Sequence, residues 1–209
     1  MIITGITELS RTRSRIEIDY QFAFVLYKGE LRHYHLQEGE EIKDADYNTI
    51  MQEVLPRRAK LRCMNLLKNR EYTTQQLHAK LAQGGYPESA IEEALAYVAS
   101  FHYTDDLRYA TDYITSHEST RSRRRIEQDL YSKGIPQDIV ERVWAEWQAL
   151  GGEQDEAAMI RALLTKRGYN PDTADFKEKQ RIFAYLMRKG YSSESIRHAM
   201  AGFSGDYDD

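Results

Sequence analysis

The chain has 209 residues, of which 41% are apolar and 30% charged, a balance typical of a soluble folded protein and not of a disordered one. Its formal net charge of −4 excludes attachment to nucleic acid or a membrane through bulk positive charge, so any such contact must be local. No apolar run approaches the roughly 18 residues of a membrane span, the N-terminus MIITGITELSRTRSR lacks a signal-peptide core, and the single cysteine, Cys63, lies in the amphipathic run AKLRCMNLL. A cytoplasmic protein without disulfides is expected.

Residues 1 to about 42 read as strands. IITGITEL, RIEIDY, FAFVLY and ELRHYHL are rich in β-branched and aromatic residues with partial alternation, and YKGE between the last two reads as a hairpin. His33 and His35 would alternate onto one strand face, but no third ligand lies nearby, so they read as surface histidines and not as a zinc site. From about Ala45 the period becomes helical, with Pro56 as a boundary. The last residues, GFSGDYDD, have no apolar periodicity and read as an acidic tail.

Within the helical part three stretches superimpose without gaps: LHAKLAQGGYPESAIEEAL from Leu77, IEQDLYSKGIPQDIVERVW from Ile126, and IFAYLMRKGYSSESIRHAM from Ile182. Each places two apolar residues four apart and a glycine four further on: Leu77, Leu81, Gly85; Ile126, Leu130, Gly134; Ile182, Leu186, Gly190. Apolar residues four apart form one helix stripe, and a glycine after the last turn takes the left-handed conformation that ends it. Pro87, Pro136 and Ser192 then mark the start of the next helix. A further amphipathic segment precedes each stretch, which makes three helices per unit.

The fold expected is mainly α, three tandem three-helix repeats forming an elongated or curved array after a small N-terminal β-rich segment. The boundaries expected are 1–55 for the β element with one helix, 56–104, 105–152 and 153–203 for the repeats, and 204–209 for the tail.

Three repeats in this register, with YTDDLRYATDYI leading into RRRIEQDLYSKGI and with KQRIFAYLMRKGYSSESI, resemble the RecX family of recombination regulators over roughly residues 57 to 201. The resemblance implies a modulator of the RecA recombinase that binds the RecA filament on DNA. Such a protein suppresses RecA ATP hydrolysis, strand exchange and co-protease activity, and so acts on homologous recombination, DNA repair and the SOS response. The family carries no agreed catalytic residues to transfer, and a monomer with no cofactor and no membrane partner is expected. The strand-rich start lies outside those repeats and is similar to an N-terminal extension of some family members.

Asp105 and Asp106 could begin an enzyme reading, as a metal-binding or proton-sharing pair. Behind Thr104 as a helix cap, however, they fall in a first turn, where negative charge meets the positive end of the helix dipole. No phosphate-cradling glycine loop, nucleophile elbow or zinc-ligand set occurs, so no enzyme is expected.

The basic cluster Arg121, Arg123, Arg124, Arg125 is the foremost candidate for a RecA or DNA contact. With a helix starting near Ser119 or Thr120, Arg121, Arg124 and Arg125 fall on one stripe opposite Ile126 and Leu130. The matching positions in the first unit are Tyr72, Thr74, Gln75 and Gln76, so the fold does not require these charges. Cations in a first turn also oppose the helix dipole, whereas they suit an anion. In the third unit the matches are Lys177, Lys179, Gln180 and Arg181. Arg57, Arg58, Lys60 and Arg62 form the second candidate group, and Lys177, Lys179 and Arg181 the third, with Arg188 and Lys189 beyond them suiting a helix C-terminus. The competing expectation is an autonomous DNA-binding helical repeat protein acting without RecA, which would bind bare DNA with a steep salt dependence.

Overall fold

The computed structural model describes residues 1–203, so the expected acidic tail at 204–209 lies outside the described residues. The chain divides into two compact units, Met1–Asp105 and a second beginning at Asp106.

The first unit opens with an antiparallel sheet of β1 (Ile3–Glu8), β2 (Arg13–Ile18) and β3 (Gln21–Tyr27) in that order. Asp19 and Tyr20 join β2 to β3 with φ of 49° and 64°, the hand of two-residue turn that matches strand twist. Alternate residues Ile16, Ile18, Phe24 and Leu26 are buried in one core with the first repeat.

The fourth expected strand is instead a helix, α1 (Lys28–His33), and YKGE is not a hairpin. Glu30 accepts the Tyr27 N–H at 2.7 Å and pairs with Arg58 at 2.9 Å, which fixes a helical first turn directly after β3. Leu31 and Tyr34, three apart, then pack on the core, while His33 and His35 are exposed and share no strand face. Pro56 does not interrupt the helical path, which runs from α2 (Asp44–Thr49) through a π-helical segment (Ile50–Val54) into α3 (Leu55–Leu67). The Leu55 N–H bonds back five residues to Ile50, a wider turn that absorbs the proline one residue later.

The helices form three groups of three. The first is α3, α4 (Thr74–Gln83) and α5 (Glu88–Ser100). The second is α6 (Asp106–His117), α7 (Arg123–Ser132) and α8 (Gln137–Ala149), and the third is α9 (Glu156–Lys166), α10 (Phe176–Arg188) and α11 (Ser193–Ala201). The paired apolar residues before each stop glycine are buried, as are Ile91, Val140 and Ile196 beyond it. Gly85, Gly134 and Gly190 have φ of 77°, 80° and 93°. After each, the next N–H returns to the buried residue four before the glycine, Tyr86 to Leu81, Ile135 to Leu130 and Tyr191 to Leu186. This is the Schellman closure that occupies the last carbonyls of the helix. Pro87 and Pro136 stand at the N-cap with extended backbone, one residue before the first helical turn. α6 starts at Asp106, so Asp105 and not Thr104 immediately precedes it.

Candidate functional site

The frame of the site is the start of α7. Ser122, wholly buried, is its N-cap and accepts the Arg125 N–H at 3.3 Å. The helix therefore starts later than the arginine-stripe reading needs, and Arg121 lies before the cap, outside the helix, not on a stripe with Arg124 and Arg125. The physical reason is the second bond of the same hydroxyl: Ser122 Oγ donates to the Lys189 carbonyl at the end of α10, 2.8 Å away, which holds residue 122 in extended backbone. The approach is close, because a Cβ added to Gly190 would lie 2.5 Å from Ser122 Oγ. The second and third repeats thus meet where one helix starts and another ends.

Around that junction lies a groove of about 600 Å³. Arg121, Arg125, Lys133, Arg188 and Lys189 line it against a single carboxylate, Asp129. Asp129 is largely buried and bridges two of the cations, with Arg121 at 2.7 Å and Arg125 at 3.0 Å. Arg121 also donates to the Tyr113 hydroxyl at 2.7 Å, which donates in turn to Asp129 at 3.2 Å. Burial first, and then the neighbouring Asp129 charge, raises the Tyr113 pKa, so this hydroxyl stays a neutral donor. One carboxylate holds two guanidinium groups in place, and the groove keeps an excess of positive charge.

Tyr113 stacks on His117 at 4.2 Å between ring centroids, and the Lys133 ammonium lies 5.5 Å from the Tyr113 centroid. Aromatic faces thus form part of the cationic wall. The arrangement can receive an anionic or aromatic surface.

The remaining candidates divide by their partners. Arg123 pairs with Glu127 at 2.8 Å and lies 4.9 Å over the Trp144 ring, a packing role at the edge of the core. Arg124 is exposed, with no ion pair among the described residues. Arg58 is engaged with Glu30 and stacks 4.1 Å over Tyr27, and Lys60 pairs with Glu93 at 2.6 Å. Arg57, Arg62, Lys177, Lys179 and Arg181 are exposed. Arg188 and Lys189, which local helix chemistry explains as dipole partners, are the residues that join the 121–125 cluster, whereas Lys177, Lys179 and Arg181 do not line the groove. Lys133 and Tyr113 carried no signal by themselves. The shared pair of lysine before stop glycine, Lys133–Gly134 and Lys189–Gly190, marks two of the lining positions in the sequence.

Family models for the RecX first, second and third three-helix domains match residues 59–97, 105–143 and 153–200. A regulatory protein RecX of Caldanaerobacter subterraneus is 27% identical over 202 residues, covering 96% of this chain and 98% of that protein. That of Vibrio parahaemolyticus is 31% identical over 139 residues, covering 66% of this chain and 86% of its own. A crystal structure of regulatory protein RecX superposes with a TM-score of 0.59 at 22% identity over 94% of this chain and 98% of that one. The crystal structure of RecX from Lactobacillus salivarius gives 0.55 at 18% identity, over 71% of this chain and 96% of that one.

Proposed function

This chain belongs to the RecX family of regulatory proteins, and from that premise we propose that it binds the RecA filament on DNA and lowers its ATP hydrolysis, strand exchange and co-protease activity. The observation that carries this reading is the groove of the second unit. In a chain of net charge −4 it gathers five basic side chains around one carboxylate. Such a surface favours a local contact with phosphate or with an acidic protein face over a general attraction to nucleic acid. Arg124 and Arg188, exposed and without ion pairs among the described residues, are the cations freest to engage a partner. Arg121 and Arg125, tied to Asp129, shape the groove that Arg188 lines, and Arg124 lies outside its lining.

Equilibrium binding to labelled single-stranded DNA, bare and coated with RecA, tests the reading. Tight binding to the RecA-coated strand and weak binding to the bare one is expected near physiological salt. Equal affinity for both, falling steeply with salt, would support the autonomous DNA-binding alternative.

A further inference from the structure

The first unit contains a second cleft at the matching place, and it differs in chemistry. With the middle helices of the first and third repeats related by 105 positions, as Leu77 is to Ile182, both clefts lie at the end of the middle helix, beside the stop glycine. In the first unit the sheet takes the place of a preceding repeat. Val25 of β3 closes on Gly85 so tightly that an added Cβ would lie 2.2 Å from its Cγ2.

This cleft, of about 560 Å³, is lined by Arg13 from β2, Arg58 and Arg62 from α3 and Lys80 from α4, with no carboxylate among its lining residues. Arg58 is neutralised by Glu30 from outside the lining. Arg13, Arg62 and Lys80 are exposed and form no ion pair among the described residues. Hydroxyl groups of Thr12, Tyr27 and Tyr86 complete the wall.

The repeat fold does not demand this charge. Lys80 is matched by Tyr185 in the third repeat, and with the buried pair Ala59 and Cys63 of α3 set on Ile160 and Leu164 of α9, Arg58 and Arg62 are matched by Met159 and Leu163. Neutralising the negative end of α4 does not explain it either. The Leu81 and Ala82 carbonyls already accept the N–H groups of Tyr86 and Gly85, and Arg13 and Arg62 come from other elements. Like charges brought together from three chain segments without a countercharge suit an anion held between them.

We propose that this cleft binds a compact, multiply charged phosphate anion, the di- or triphosphate group of a nucleotide being the class that fits. The volume is that of a small-ligand pocket, and its cations come from three separate elements of the fold. Since Arg13 belongs to the sheet and Arg62 and Lys80 to the repeat, the ligand would bridge the two and raise the thermal midpoint of the protein.

Calorimetric titration of the full chain at low ionic strength, with inorganic triphosphate and with ATP, and no divalent cation or RecA, tests this separately from the proposed function. One saturable site is expected for each, of similar affinity. Arg13→Gln/Arg62→Gln/Lys80→Gln should weaken both by about tenfold or more. Lys177→Gln/Lys179→Gln/Arg181→Gln, with the same change in net charge, should leave affinity within about twofold. All six side chains are exposed, so neither variant removes a core contact. No saturable binding by wild type, equal losses in both variants, or binding of ATP without inorganic triphosphate would overturn the proposal.

Discussion

Replacing Ser122 by alanine tests how the second and third repeats are joined. Its hydroxyl caps α7 through the Arg125 N–H and donates to the Lys189 carbonyl 2.8 Å away. Loss of an N-cap costs about 1 kcal/mol, and leaving the part-buried Lys189 carbonyl without its donor costs about 1–3 kcal/mol more. The sum is roughly 2–4 kcal/mol, for a serine that is itself wholly buried. Ser192→Ala is the control. Ser192 caps α11 by the same kind of bond, to the Ser195 N–H at 2.9 Å, but is exposed, so its loss should cost only about 1 kcal/mol. The two tryptophans, Trp144 and Trp147, both belong to the second unit, so urea unfolding followed by tryptophan fluorescence reports on that unit alone. A Ser122→Ala cost no larger than that of Ser192→Ala would refute the reasoning.

Three further outcomes follow from the same structure. Gly85→Ala combines left-handed strain with a Cβ 2.2 Å from Val25, and should cost roughly 3 kcal/mol or more in chemical denaturation, against about 1 kcal/mol for Gly151→Ala, where φ is 87° but the added Cβ meets nothing within 4 Å. Burial, and secondarily Glu156, pushes the Tyr191 hydroxyl up to about 12. Because the folded chain keeps this proton after the unfolded chain loses it, Tyr191 by itself should lower stability between pH 10 and 12 by on the order of 2 kcal/mol, a share of the alkaline loss that Tyr191→Phe removes in pH-dependent melting. The Cys63 thiol is fully buried and pushed up to about 11, mainly by that burial, so a thiol-disulfide reagent at pH 8 should modify it only after denaturant is added.

The repeat frame was legible because one physical rule wrote it three times: an apolar pair four apart, then a glycine that must take positive φ. ELRHYHL forms α1 in spite of its β-rich composition, because the deciding bonds are those of Glu30 with the Tyr27 N–H and with the distant Arg58. The spacing of Leu31 and Tyr34 was the local trace of a helix. The start of α7 is hidden for a similar reason. SRRR lacks the reciprocal Glu or Gln of a capping box, which Thr73 and Gln76 supply in the first unit, yet Ser122 occupies the position matching Thr73. As for the groove, the 121–125 cluster was visible in the sequence. Its closure by Arg188 and Lys189 depends on Ser122 bonding a carbonyl 67 residues away, which no local pattern encodes.

The central claim is tested most directly by RecA ATP turnover on single-stranded DNA with increasing amounts of this protein. The wild type should lower turnover. Arg124→Glu/Arg188→Glu/Lys189→Glu, all exposed positions, should unfold at the wild-type midpoint and need about tenfold more protein for the same inhibition. Turnover unchanged by the wild type would contradict the account, and equal potency of the folded variant would remove Arg124, Arg188 and Lys189 from the RecA contact.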